Sequence, residues 1–362
     1  VYIVTWGIGV IGKNGPGSAR GSSSRAAIRD IAERAGVSMA TVSRVLNSRP
    51  DVSEATRALV LQYVREAGYV SNRIARASYD TGLLALFVQR IHGDYVTEVI
   101  NGAVEAARER GARLLIAPAD AGAAALPLRE RLKQGATDGA VLIGPSESVA
   151  ELTALHRSGY PFVVIDPMVP VPLQVPVVAS ASFGGAKLAT EHLIGLGHTH
   201  IGLIIGPEAW SSSVDRRAGY QAALLTAGLP LIPALVQSAD MSIAGGAEAA
   251  ELLLSRAHSP SAIVAMNDHM ALGVIRAARE RRLTVPNDLS VVGFGDVELA
   301  ALVTPALTTV QQPFQDIGRM GIDVLYRLLQ GQPLHATRVE LSTRLIERDS
   351  TAAPRGTSFL TY

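Results

Sequence analysis

Apolar positions change their period along this chain. From residue 26 they recur at helical spacing. Ile28, Ile31, Ala32 and Ala35 mark one short helix, which Gly36 closes. Ser38 is a good N-cap for a second helix with Val42, Val45 and Leu46 inside. A third starts at Val52-Ser53-Glu54, turns Leu59, Val60, Tyr63, Val64 and Ala67 inward and ends at Gly68. Helices this short must share one small core. After Asp80-Thr81-Gly82 strands alternate with helices. LLALFV (83–88), RLLIAPA (113–119), GAVLIG (139–144) and FVVID (162–166) read as buried parallel strands, with helices at 97–111 and 148–159 between them. The pattern repeats as helices 184–195, 215–227, 243–256 and 268–281 around the strands IGLIIG (201–206), AIVAM (262–266) and LSVVGF (289–294). The expected fold is a small all-α helix-turn-helix head plus an α/β core of two doubly wound parallel-sheet units in tandem. Ligands of such sheets bind outside the carboxyl ends of the strands, and between two units that means a cleft.

Composition narrows the picture. The chain has 362 residues, 48% of them hydrophobic, enough for two or more folding units. It has no cysteine, which removes disulfides and thiolate metal sites and fits a reducing, cytoplasmic setting. The net charge of +1 hides an asymmetry. Between Arg20 and Tyr79 ten arginines face five acids, so the head suits a polyanion, although a solvated arginine-rich surface would look the same. No stretch reaches the roughly 18 continuous apolar residues of a membrane helix, and no membrane partner is expected. The first twenty-five residues are apolar and then rich in Gly and Ser, with no basic start, and read as an unstructured leader. They contain GIGVIG, Gly7 to Gly12, the spacing of a dinucleotide-binding loop. That loop must open a helix, and Lys13-Asn14-Gly15-Pro16-Gly17 cannot.

Helices 28–35 and 38–47 around Gly36-Val37 form a helix-turn-helix. Its second helix turns Met39, Ala40, Thr41, Ser43, Arg44 and Asn47 outward. Hydroxyls and amides suit phosphate oxygens, and arginine suits the O6/N7 edge of guanine. A hairpin used only for packing is the alternative, and the arginine-rich setting and small polar face argue against it.

The run IRDIAERAGVSMATVSRVLNSRPDVSEATRALVLQYVREAGYVSNRIAR resembles the DNA-binding head of the lactose-repressor (LacI/GalR) family of bacterial transcription regulators. The segments HLIGLGHTHIGLIIG, DRRAGYQAAL, AIVAMNDHMALGVIRAARERRLTVPNDLSVVGFGD and PALTTVQQP extend the resemblance to about Arg348. It implies a cytoplasmic homodimer on double-stranded operator DNA, with a periplasmic-binding-protein-like core. Its divisions would be a leader (1–25), the head (26–70), a hinge helix and linker (71–81), a two-subdomain effector-binding and dimerisation unit (82–349) and a tail (350–362). It implies phosphate contacts from Ser38, Thr41, Ser43, Asn47, Ser53 and Thr56, and base contacts from Met39, Ala40 and Arg44. The hinge would use Tyr69, Asn72, Ile74, Ala75 and Ser78, ordering when two subunits meet on DNA. Two positions depart from the pattern. Ala27 stands where Ser or Thr is usual, and Ser78 replaces a leucine that wedges between base pairs.

In the cleft the resemblance implies an effector held by Tyr95, Asp166, Arg216, Asn267 and Gln312. Asp166 and Asn267 do follow strands, as such a site requires, although polar residues there also serve as caps. The family's usual Gly-Phe/Tyr-Asp-Asp is here GFGD, so Gly295 takes one acid's place and Asp296 keeps the other. The loss of a carboxylate favours a gluconate-like sugar acid, with a bulkier neutral sugar as the alternative. His192, His198 and His200 lack the further ligands of a metal site, and neither metal nor cofactor is expected. A transport-type sugar-binding protein would have no use for the head. A nicotinamide enzyme would need the helix missing after Gly12, and no acid/base signature suggests catalysis. No leucine-heptad tail follows LIERD, which favours a dimer over a tetramer.

Overall fold

The structure is a computed structural model and describes residues 2–4, 29–46, 52–66, 81–88, 93–118 and 128–355. Gly36, at φ +64°, reverses the chain between α1 (residues 29–35) and α2 (Met39–Leu46). The Ser38 hydroxyl oxygen accepts from the Thr41 amide at 3.1 Å and so caps α2. Ser53 does the same for the Thr56 amide at 3.3 Å, starting α3 (Glu54–Glu66). Ile31, Ala32, Ala35, Val42, Val45 and Val60 fill the head's core, flanked by Val37, Val52 and Tyr63. Leu59, expected inside, is 40% exposed, because α3 turns the Val60 and Tyr63 side inward.

The core runs in chain order β1 (Tyr2–Val4), β2 (Leu83–Val88), α4 (Asp94–Glu109), β3 (Arg113–Pro118), α5 (Leu128–Gln134) and β4 (Gly139–Ile143). Next come α6 (Val149–Arg157), β5 (Phe162–Ile165), β6 (Val177–Ser180), α7 (Ser182–Gly195), β7 (Ile201–Ile205) and α8 (Ser211–Thr226). These are followed by β8 (Val236–Ser238), α9 (Ile243–Leu254), β9 (Ala262–Ala265), α10 (Asp268–Glu280), β10 (Ser290–Gly295) and α11 (Glu298–Leu302). The chain then forms β11 (Thr308–Gln311), α12 (Phe314–Leu329), β12 (Arg338–Leu341) and β13 (Arg344–Ile346). One sheet has the order β1-β3-β2-β4-β5-β6-β12 and the other β13-β11-β10-β9-β7-β8. Both are parallel except at the edges, where β1 on β3 and β13 on β11 are antiparallel. Tyr2–Val4, expected within an unstructured leader, are thus the first sheet's edge strand.

The two units are not in tandem. After β6 of the first sheet, α7 packs on α8 of the second unit. After β11 of the second sheet, α12 returns to α4 and the first sheet. Then β12 joins the first sheet and β13 the second. The chain therefore crosses three times. The return of α12 depends on glycine at both faces of its contact with α4. A Cβ on Gly102 would lie 1.9 Å from the Gln315 carbonyl oxygen, and one on Gly318 2.0 Å from that of Val99.

Residues 350–352, expected in a tail, are built into the second unit. The Ser350 hydroxyl donates to the Val291 carbonyl at 2.6 Å and accepts from the Thr308 amide at 2.8 Å. His198 is buried beside it. Its Nε2 donates to the Ala352 carbonyl at 2.9 Å, so Nδ1 accepts from the Ser261 hydroxyl at 2.8 Å. His192 Nε2 meets the Thr351 hydroxyl at 3.0 Å. Burial holds both imidazoles below the usual histidine range. The two imidazoles take up protons near pH 6.5 in the unfolded chain and only at lower pH in the folded one. Their stabilisation is thus fully present above that pH and is lost as pH falls below it, by up to about 1.4 kcal/mol per pH unit for each proton. Urea unfolding at pH 7.5 and 5.5 should show the loss, and His198→Gln should shrink it. An unchanged pH dependence in the variant would place the acid sensitivity elsewhere.

Candidate functional site

The sheets place polar side chains at the carboxyl ends of their strands, where the two units face each other. Asp166 follows β5 directly and turns the chain at φ +41°. Its Oδ1 accepts from the Ser180 amide at 3.2 Å and its Oδ2 from the Tyr95 hydroxyl at 2.7 Å. Tyr95, in the first turn of α4, stands edge-on to Phe314, with ring centres 5.3 Å apart. Ser180 ends β6 at the first crossing, and Gln312 lies just before α12 at the second. Gln312 Nε2 donates to the Ser180 hydroxyl at 2.6 Å, and its Oε1 accepts from the Arg216 guanidinium at 3.3 Å. Arg216 sits on α8 and also donates to the Met266 carbonyl and to the Ser182 hydroxyl. Its carbon lies 3.6 Å from the centre of the Phe294 ring, a cation–π stack. One hydrogen-bonded chain thus runs from Tyr95 through Asp166, Ser180 and Gln312 to Arg216, from one unit to the other.

Burial governs the charges of this chain. It pushes Tyr95 well up, helped by the charge of Asp166, so the phenol stays a donor. It also raises Asp166, against the opposing hydrogen bonds of Tyr95 and Ser180 and the charge of Arg216. It lowers Arg216 to about 10, with Asp166 and Asp268 pulling the other way, so the guanidinium remains a cation at neutral pH.

Of the expected effector residues, Tyr95, Asp166, Arg216 and Gln312 meet in this chain. Asn267 lies at the end of β9 but caps α10, its Oδ1 accepting from the Met270 amide at 2.7 Å. Asp296 is held by the Arg348 guanidinium at 2.6 Å and the Gln311 amide at 2.7 Å. Gly295, at φ +138°, leaves no side chain, and a Cβ there would lie 3.1 Å from Asp268 Oδ2. Asp268 is buried and accepts from the Thr309 hydroxyl at 2.5 Å and the Val297 amide at 2.9 Å. Sequence reasoning missed Ser180, Ser182, Met266, Asp268 and Phe294. Of these, Met266, Asp268 and Phe294 lie within the motifs AIVAMNDH and GFGD, and Ser180 and Ser182 lie in none. A cavity of about 660 Å³ lies beside the chain, sharing Gln312. Its acids are Asp94, Glu98, Asp296, Glu298 and Asp316, and among the described residues no basic side chain lines it.

On the head, Met39, Ala40, Ser43 and Arg44 are exposed along α2, as are Ser38 and Ser53 at the caps, with Thr41 and Thr56 half-buried. The hydroxyls of Ser38 and Thr41 lie 2.9 Å apart, and those of Ser53 and Thr56 2.8 Å. Asn47, Tyr69, Asn72, Ile74, Ala75 and Ser78 lie outside the described residues, as do Ala27 and the Gly7–Gly12 motif. No helix among the described residues is long and apolar enough to cross a membrane.

A helix-turn-helix head on two crossed α/β units, with a polar chain across their cleft, defines a ligand-responsive DNA-binding protein. Residues 27–72 match the model of the lacI family of bacterial regulatory proteins, and residues 190–351 match the periplasmic binding protein-like domain. The ribose operon repressor of Escherichia coli K12 is 33% identical over 330 residues, which span 90% of this chain and 99% of the relative. The structure of a CelR–cellobiose complex has a TM-score of 0.68 at 32% identity, covering 89% of this chain and 99% of the other. That of a lac repressor dimer bound to operator and the anti-inducer ONPF also scores 0.68, at 29% identity, covering 90% and 98%. The chain belongs to the LacI family of transcriptional regulators.

Proposed function

We propose that this protein is a homodimeric repressor whose hold on its operator is set by a small uncharged sugar bound between the two units. The observation that carries this reading is the buried chain from Tyr95 to Arg216. It offers a carboxylate acceptor at the end of β5 and a guanidinium donor from α8, the pair that ring hydroxyls need. The named relatives support it, one regulating a ribose operon and one solved with cellobiose. Gly295, beside the retained Arg216, favoured a sugar acid in the sequence. Asp268 supports the neutral sugar instead, because its carboxylate lies beneath Gly295 and adds to Asp166 in balancing Arg216. The acidic lining of the neighbouring cavity adds to this. Calorimetric titration with ribose, cellobiose and gluconate tests it. Binding of gluconate with neither neutral sugar would restore the sugar acid.

In this reading α2 lies in the major groove, with Met39, Ala40 and Arg44 toward base edges. Ser38, Thr41, Ser43, Asn47, Ser53 and Thr56 hold phosphates, and residues 71–78 form the hinge. Arg44→Ala should weaken binding to the region upstream of the protein's own gene by about 1–3 kcal/mol and relax preference at one base pair. The measurement is gel shift against specific and random DNA. Equal losses on both would make Arg44 a phosphate contact.

A further inference from the structure

The loop that carries Asp166 also grips the helix that carries Arg216. Residues 166–176 join β5 to β6 and include Pro167, Pro170, Pro172 and Pro176. Each ring fixes a φ angle, so the loop loses little freedom when it takes one shape. Met168 is tied to its own unit, its amide donating to the Pro145 carbonyl at 3.1 Å. Its carbonyl reaches across the cleft and accepts from the Ser211 amide at 3.1 Å. Ser211 is the first residue of α8, and the N-cap residue Trp210 provides no side-chain cap. Amides in a helix's first turn have no partner within the helix. One of these amides is therefore capped from the other unit, little more than one turn before Arg216. Asp94 and His269, 3.5 Å apart on α4 and α10, span the units as well.

We propose that the Met168–Ser211 hydrogen bond is a clasp that makes Met168 a positioning residue for Arg216. With the cleft closed, the clasp seats α8 and so brings Arg216 to the side of Asp166. With it open, the Ser211 amide returns to water. The link to sugar rests on the effector reading above; the clasp itself does not.

Ser211→Pro isolates the contact. Proline has no N–H, and its fixed φ suits the first position of a helix. Trp210, at φ −76° and ψ 134°, already has the conformation that a residue before proline requires. Ser211→Ala keeps the amide and serves as control. The chain has no cysteine, so Val149→Cys and Leu225→Cys, at positions 50% and 63% exposed and both outside the loop, give two unique spin-label sites, one on each unit. Labelled chain diluted with unlabelled chain is measured without ligand by pulsed electron paramagnetic resonance. Ser211→Ala should keep the parent distance, and Ser211→Pro should lengthen and broaden it. Joint Pro170→Ala and Pro172→Ala loosens the loop from its own side and should broaden the distance too. It decides the question if Ser211→Pro does not fold. An unchanged distance in Ser211→Pro, or in the loop variant standing in for it, overturns the clasp. Ribose and cellobiose titrations should then show about three- to tenfold weaker binding in Ser211→Pro, the scale of one hydrogen bond, and no change in Ser211→Ala. A parent chain that binds neither sugar while the distance shift persists removes the sugar reading and leaves the clasp standing.

Discussion

Arg216→Ala is expected to leave operator binding intact while removing the response to sugar. Arg216 is 7% exposed and donates to Gln312, Ser182 and the Met266 carbonyl. Truncation removes the cation that balances Asp166 in a buried cleft and leaves the Met266 carbonyl without that donor. Losing one partner of a buried, hydrogen-bonded charge weakens binding by about 2–5 kcal/mol, or about 30-fold and upward. Arg216→Lys should fall between, because it keeps the charge but loses the planar fork and much of the stack on Phe294. Calorimetry with the sugar that binds the parent protein measures the loss, and gel shift with and without sugar measures the response. A variant whose operator binding still changes on adding sugar would move the effector away from Arg216.

Gly295→Asp, which gives the family's commoner residue, is expected to destabilise this chain rather than retune its ligand. A side chain at φ +138° is strained, and its Cβ would press on Asp268 Oδ2 at 3.1 Å. The new carboxylate would also stand against a buried acid whose pKa burial already raises. Gly295→Ala should cost about 1–3 kcal/mol through strain. Gly295→Asp should cost more, about 3 kcal/mol or above, by adding an unpaired charge. Urea unfolding of both at neutral pH separates the two causes. Equal losses would mean that the new acid finds solvent, and Gly295 would then regain its role as the determinant of ligand charge.

The sequence reveals the ends of strands better than what meets there. Buried parallel strands are continuous apolar runs, so the runs before Asp166 and Asn267 stood out, and a ligand-facing position followed from each. What each residue touches had no local signal. Asn267 caps its own helix, Asp296 is paired with Arg348, and the ring beneath Arg216 comes from Phe294, far along the chain. The crossings were invisible for a related reason. β6, β11, β12 and β13 are only three or four residues long and partly polar, with too little length for a period to show. Without them the two units read as tandem. The helix-turn-helix was legible because its turn, cap and core lie within one short window, Gly36, Ser38 and Val42 among them.

The three crossings also set the order in which the nascent chain can fold. β2 leaves the ribosome early, yet the sheet it founds needs α12 (Phe314–Leu329) to cover one face and β12 (Arg338–Leu341) to close an edge. Until those segments emerge, the edge of β6 stays open and the apolar face beneath α12, with Val141 and Ile165 in it, remains wet. The unit begun first is thus completed among the last, and a premature stop anywhere before β12 yields an open sheet rather than a smaller domain. Such intermediates are the ones that chaperones hold and that aggregate when chaperones are scarce.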